Sequence, residues 1–314
     1  MKAVAVGVGV AGGLLAGGMN DASAAAITLG SASDYGVLVG TGQTLSITGG
    51  FNLTGDLGLG NSSKFNKSGT NKITGNYYHD SSVSGSSSGT TTITGSTITQ
   101  SMSTVVGDAL SASTTAGALA GTTGLQNQGG SISLSNSSLT IKALTNLSEN
   151  VLNISALSLT NGTLTFDDNG YTGAKFIINV TGNFTLSQAS VIKGINGASA
   201  ADIIFNIEGT GNTVSLTGNS SSSVIGTILA PSRNVTASGG GTLTGALIAG
   251  VNNAGNGYKL ATGSGGYNIT EYGYKPSTGG GGGRAPEPST IALFGAGLAG
   301  LAVVRRRALR KKQL

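Results

Sequence analysis

Residues 53–95 read LTGDLGLGNSSKFNKSGTNKITGNYYHDSSVSGSSSGTTTITG, and they repeat one tripeptide every 20 residues: Leu53-Thr54-Gly55, Ile73-Thr74-Gly75 and Ile93-Thr94-Gly95. The same apolar-Thr-Gly pattern also starts at Ile47, Val180, Leu216 and Leu243. A fixed spacing of this length is typical of stacked repeats, because one repeat cannot bury its apolar face alone. Strand alternation would send the aliphatic side chain inward and the threonine outward, and glycine would form the corner. The pattern predicts a β-solenoid.

The composition agrees with many short strands joined by tight turns. The 314 residues include 55 glycines and four prolines, and charged residues make up only 9% against 38% hydrophobic. Short Val, Ile, Leu and Phe runs separated by Gly, Asn, Ser and Thr favour a sandwich, a barrel or a solenoid, and the repeat favours the last. The chain contains no cysteine, which excludes disulfides and thiolate chemistry.

One segment breaks the strand pattern. From residue 101 to about residue 119, apolar residues recur with helical spacing: Met102, Val105, Val106, Ala109 and Leu110. Ser101 or Ser103 could cap the start of this helix. The spacing predicts one amphipathic helix between a short and a long run of strands.

Both ends of the sequence have the features of targeting segments. Lys2 and the apolar residues 3–15 precede a small-x-small cleavage pattern at residues 22–24 or 24–26, so residues 1–26 are interpreted as a signal peptide. Residues 27–278 would be the surface domain, and residues 279–285 a Gly-rich linker. Residues 286–314 form the last segment.

The last segment combines three features in a fixed order. Pro286-Glu287-Pro288 precedes the apolar residues 291–304, and Arg305, Arg306 and Arg307 follow. The apolar run predicts a short transmembrane helix with its basic end in the cytoplasm, as in an ordinary tail anchor. The order of the three features, however, resembles the PEP-CTERM sorting signal of Gram-negative bacteria. The resemblance implies processing by an exosortase at the inner membrane, then retention at the cell surface or in the extracellular matrix.

The positive net charge of the chain arises from these targeting segments. Without their seven basic and two acidic residues, the body has ten of each and is neutral. Nucleic-acid binding would need basic residues clustered on the folded domain, so the charge balance excludes that class of partner.

The body resembles a known family as well. Residues 29–38, LGSASDYGVL, look like the opening of the ice-binding-like family (the DUF3494 domain). Residues 175–180, 203–207, 225–231 and 245–249 look like the choice-of-anchor A domain of bacterial surface proteins. The resemblance implies a right-handed β-solenoid with one helix packed along its side. Ala246 stands where the ice-binding family tends to place an arginine.

Few residues are suited to catalysis. His79 is the only histidine, and its Tyr-Tyr-His-Asp setting favours an exposed loop. A polysaccharide-degrading enzyme would need convergent carboxylates. Asp167, Asp168 and Asn169 are the nearest candidates, but they lead into a glycine and are typical of a turn, with a weak Ca²⁺ site as the other interpretation. The sequence therefore predicts a non-enzymatic protein without a cofactor.

We expect a structural or adhesive surface protein, with ice binding as the alternative and a glycan-degrading enzyme as a distant third. Ice binding would require regular threonine rows on one face of the sheet, at spacings that the backbone sets. One local set of threonines forms the candidate binding face for ice or extracellular polysaccharide: Thr90, Thr92, Thr94, Thr97 and Thr99.

Overall fold

The computed structural model describes residues 26–144, 149–171, 173–252, 259–262 and 265–276. The predicted signal peptide lies almost entirely outside the described residues. The Gly-rich linker and the whole segment 286–314 lie outside them too.

Within the described residues, eight strands precede one α-helix. A 3-10 helix, Gly30–Asp34, leads into strands β1 Val37–Val39, β2 Thr44–Ile47, β3 Asn52–Thr54, β4 Leu57–Leu59, β5 Lys64–Ile73, β6 Tyr77–His79, β7 Ser87–Ile93 and β8 Thr97–Thr99, and then into α1 Ser103–Gly117.

Fifteen strands follow the helix in the part of the chain that the structure describes. They are β9 Ser131–Ser135, β10 Ser138–Lys142, β11 Glu149–Ile154, β12 Ala156–Thr160, β13 Thr163–Asp167, β14 Lys175–Val180, β15 Phe184–Gln188, β16 Val191–Ile195, β17 Ile203–Ile207, β18 Val214–Gly218, β19 Ser223–Ala230, β20 Val235–Ala237, β21 Thr242–Ala249, β22 Lys259–Thr262 and β23 Asn268–Glu271. A second 3-10 helix, Ala200–Asp202, precedes β17.

Every strand pairing is parallel, and the strands form three columns around one core. The helix-side column runs β11-β14-β17-β19-β21-β1-β4-β6-β8. The serine column runs β9-β12-β15-β18-β20-β22-β2-β5. The threonine column runs β10-β13-β16-β19-β21-β23-β3-β5-β7. The long strands β5, β19 and β21 pass from one column into the next.

The predicted helix is confirmed, and its apolar stripe lies against the helix-side column. Met102, Val105, Val106 and Ala109 are buried there with strand residues such as Ile177. The expected serine cap is absent: Met102 occupies the N-cap position, without a capping side-chain hydrogen bond.

The predicted right-handed β-solenoid with a transmembrane helix is wrong on two points. First, the strands form curled parallel sheets, in which the segments before and after the helix join into one structure: β1 lies between β21 and β4. Paired residues are 20 apart in the sequence before the helix and between 19 and 32 apart after it. The 20-residue repeat therefore described only the first part.

Second, no helix in the described ranges is long and apolar enough to cross a membrane. The apolar run 291–304, on which that prediction was based, lies outside the described residues.

Candidate functional site

Five threonines form one row, three of them on strands of the threonine column and two directly after its strands β5 and β7. Register pairs Thr244 with Thr270, and Thr270 with Thr54. The row continues to Thr74 and Thr94, because Leu53, Ile73 and Ile93 pair in register just before them. Thr244 is half-buried and the other four are exposed. We call these five residues the threonine row.

A second row runs beside the first, two residues earlier on each strand: Thr242, Asn268, Asn52, Lys72 and Thr92. The residue between the two rows is a buried aliphatic on β21, β23, β3 and β5. These buried anchors fix both rows on the outside, since successive strand residues point to opposite faces. Neighbouring strands lie about 4.8 Å apart and alternate residues about 6.7 Å apart, so the rows form a two-dimensional grid.

The corner after the threonine row is held by a ladder of backbone-to-side-chain hydrogen bonds. Glu271 accepts from the backbone N–H of Asp56 at 2.7 Å. Asp56 accepts from Asn76 N–H at 2.7 Å, and Asn76 from Ser96 N–H at 2.9 Å. Burial is the largest cause that raises the pKa of Glu271 above its ordinary value. The ladder keeps the 20-residue repeats in register at the edge of the grid.

The structure places the five threonines of the predicted candidate face in two different columns. Thr90 and Thr92 alternate along β7, and Thr94 follows it, all exposed at the end of the threonine column. Thr97 and Thr99 lie on β8 and pair with Tyr77 and His79, which themselves pair with the buried Leu57 and Leu59. These two threonines therefore continue the interior rows of the helix-side column and point away from the grid.

Sequence reasoning missed Thr270 as a member of the row. Ile269-Thr270 is followed by Glu271, so the apolar-Thr-Gly pattern fails at its third residue. A search for apolar-Thr pairs without the glycine would have included it.

The side chain of His79 contacts neighbouring residues of its own strand and turn. Its ring stacks on Tyr77 with centroids 4.8 Å apart, and Nδ1 lies 2.9 Å from the carbonyl oxygen of Asp80. It is the last residue of β6 and is half-buried, not in an exposed loop as expected.

Two residues of the acidic turn, Asp167 and Asn169, form hydrogen bonds with other groups of the protein. Asp167 accepts hydrogen bonds from the Asn196 amide and from Asn169 N–H, each at 2.8 Å. Asn169 donates to the carbonyl oxygen of Ala143 at 3.2 Å. In the ranges that the structure describes, no three acidic or histidine side chains are grouped closely enough to hold a metal ion.

Comparison with known families identifies both parts of the chain. A family described as an ice-binding-like adhesive domain matches residues 3–260. The PEP-CTERM protein-sorting motif matches residues 284–307, which include Pro286, Glu287, Pro288 and Arg305 to Arg307. No curated protein matches the chain.

Two solved structures illustrate the likeness. An ice-binding protein from the Antarctic ascomycete Antarctomyces psychrotrophicus has a TM-score of 0.50 and 20% identity, over 78% of this chain and 98% of that chain. An ice-binding protein from an Antarctic bacterium, Flavobacteriaceae, has a TM-score of 0.52 and 19% identity, over 83% of this chain and 50% of that one. At such identities the likeness shows the fold alone. Because the first family match covers most of the sequence, the chain belongs to the ice-binding-like adhesive domain family and carries a PEP-CTERM sorting motif.

Proposed function

We propose that this protein is displayed at the bacterial surface and binds ice through the threonine row and the parallel row beside it. The observation that carries the proposal is the unbroken register of Thr244, Thr270, Thr54, Thr74 and Thr94. The family and the fold of the ice-binding proteins support it.

Threonine suits a surface that must match an ordered lattice. Its β-branched side chain is stiff at χ1, so the hydroxyl and the methyl group are held at the positions that the backbone sets. Each hydroxyl contributes only a weak net hydrogen bond, and affinity therefore needs many groups that bind at once. A regular grid fits an ice plane better than it fits a single small molecule.

Surface display would convert this weak binding into adhesion. The sorting motif implies export and processing by an exosortase at the inner membrane of a Gram-negative bacterium. Many copies held at the cell surface would act together, because linked sites bind with a high effective concentration. We therefore interpret the structural or adhesive role and ice binding as one activity, attachment of cells or matrix to ice, without catalysis.

The test is inhibition of ice recrystallisation by purified residues 27–278. We expect activity at micromolar concentration, lost in Thr54→Tyr, Thr74→Tyr and Thr94→Tyr, because a bulky ring interrupts the grid. The matched control is Thr185→Tyr, on the outer face of the serine column, which should keep full activity. Inactive wild-type protein that still aggregates cells would favour a matrix adhesin, and release of oligosaccharide from glycans would contradict the non-enzymatic proposal.

The sorting proposal has its own test. Glu287→Ala changes the Pro-Glu-Pro tripeptide, which follows the surface domain 27–278 in the sequence, so processing should fail while the domain still folds. The readouts are the mass of the mature protein and surface labelling of intact cells. An unchanged mass together with unchanged surface display would contradict the assignment.

A further inference from the structure

A lysine and an aspartate are in direct contact inside the sheet. Lys175 is the first residue of β14, and Asp202 directly precedes β17, the next strand of the helix-side column. Lys175 Nζ contacts Asp202 Oδ1. The two residues are only 6% and 8% exposed. An ion pair at this depth loses most of its hydration, and that loss offsets much of the attraction between the two charges.

We propose that Lys175 and Asp202 join through an intramolecular amide bond. The Nζ–Cγ bond forms, and the Cγ–Oδ1 bond breaks. Two of the three ammonium protons leave with Oδ1 as water, and the third remains on the amide nitrogen. The step needs no oxidant, reductant or added reagent, and it removes two buried charges.

Ser199 is positioned to help this reaction. Its backbone N–H and its hydroxyl both donate to Asp202 Oδ2, at 2.8 Å and 2.5 Å. Oδ2 is the oxygen that Lys175 does not contact, so it would remain as the amide carbonyl. Two donors aimed at that oxygen would stabilise the negative charge that develops when the amine adds to Cγ.

Asp168 supplies the remaining group, a proton carrier. It is 1% exposed, and its Oδ1 accepts no hydrogen bond from the described part of the chain. Burial, followed by the nearby Asp202 carboxylate, raises the pKa of Asp168 to about 6, although Lys175 acts in the opposite direction. A buried carboxyl whose pKa lies near the working pH can carry a proton between Nζ and the leaving Oδ1.

Lys142 provides an internal comparison. It pairs in register with Asp167, so it is a second lysine beside an aspartate on a neighbouring strand, but its side chain is exposed. Water stabilises the ammonium group of Lys142, whereas Asp167 is only 5% exposed, and no amide is expected. Burial of the lysine, more than adjacency, thus distinguishes the reactive site.

The experiment is a tryptic digest of the full chain followed by mass spectrometry. Trypsin cannot cleave after a lysine whose amine is in an amide. We therefore expect peptide 143–193 joined to peptide 194–233, lighter than their sum by one water, and normal cleavage after Lys142. Separate peptides 143–175 and 176–193, with no joined product, would overturn the proposal.

Two variants test the assigned roles. Asp168→Asn should lower the joined fraction at least tenfold while the circular dichroism spectrum stays that of the wild type. Ser199→Ala, which removes one donor to Oδ2, should slow the reaction and serves if the first variant fails to fold. Lys175→Arg should give no joined peptide. Unchanged linkage in both folded variants would overturn the roles of Asp168 and Ser199.

Discussion

At the scale of single residues, the amide of Asn196 controls an acid at the end of β13. The hydrogen bond from Asn196 is the largest cause that lowers the pKa of Asp167, followed by that from Asn169 N–H. A lowered pKa stabilises the fold above the unfolded value of about 3.9, and the contribution is lost as the pH falls through the folded pKa.

Asn196→Gly should therefore reduce the free energy of unfolding at pH 7 by about 1 to 2 kcal/mol. Glycine is the suitable replacement because Asn196 has a φ of 55°, which alanine would adopt only with strain. The deficit relative to the wild type should begin to shrink in urea titrations below about pH 4, where the unfolded chain becomes protonated at Asp167, and should vanish as the pH falls through the lowered folded pKa. An equal deficit at pH 7 and pH 3 would show that the amide does not act through the carboxylate.

The corner glycines show what a sequence can reveal at this scale. The sequence predicts glycine at the corners because glycine adopts a positive φ without strain, and Gly55 has a φ of 137°. Gly75 is required for another reason: a Cβ atom would lie 2.2 Å from the carbonyl oxygen of Gly55 in the paired corner. The residue type was thus predictable, but the close approach of a segment 20 residues away appears only in the folded chain.

At the scale of elements, a ladder of asparagines joins the helix to the sheet. Asn153, Asn179 and Asn206 are in register on β11, β14 and β17, with side-chain hydrogen bonds of 2.9 Å between neighbours. Asn179 also donates to the Ala116 carbonyl oxygen at 2.7 Å, and Asn206 to that of Ser113 at 3.1 Å. The ladder thus adds side-chain hydrogen bonds to carbonyl groups in the last turns of α1, where Ala116 O also accepts from Leu119 N–H at 3.1 Å.

This ladder predicts energetic coupling between helix and sheet. Ser113 also donates its hydroxyl to Asn206 Oδ1 at 2.6 Å. Asn206→Ala and Ser113→Ala should each destabilise the protein by about 1 to 3 kcal/mol, because each leaves buried polar groups unpaired. A double-mutant cycle from urea unfolding should give a coupling of at least about 0.5 kcal/mol. Strictly additive losses would contradict the ladder's role.

The helix was predictable as an element, and the partners of the strands were not. Local spacing revealed α1, whereas the pairing of β1 with β21 joins segments from opposite parts of the sequence and has no local signal. The asparagines are recognisable in the sequence, since each interrupts an apolar strand near its end. Without the position of α1, however, their carbonyl partners could not be named.

At the scale of the whole molecule, about half of the residues in the threonine row and the row beside it were predictable from the sequence. The motifs at Thr54, Thr74, Thr94 and Thr244 predicted outward threonines, but only the joining of β23 to β3 places Thr270 and Thr244 in the same row as the others. The same three-dimensional register separates Thr97 and Thr99 from that row. The grid is therefore a property of the assembled columns and not of any single repeat.

The most direct test of ice binding is to measure how much protein a growing ice crystal takes up. Three forms of residues 27–278 are mixed, each labelled with its own dye: the wild type, Thr185→Tyr and the double variant Thr54→Tyr/Thr74→Tyr. A seeded ice hemisphere is then grown slowly in the mixture. We predict that the wild type and Thr185→Tyr enter the ice, and that the double variant, folded by circular dichroism, stays in the liquid. Equal uptake of all three proteins, or exclusion of all three, would contradict the assignment of ice binding to the threonine row.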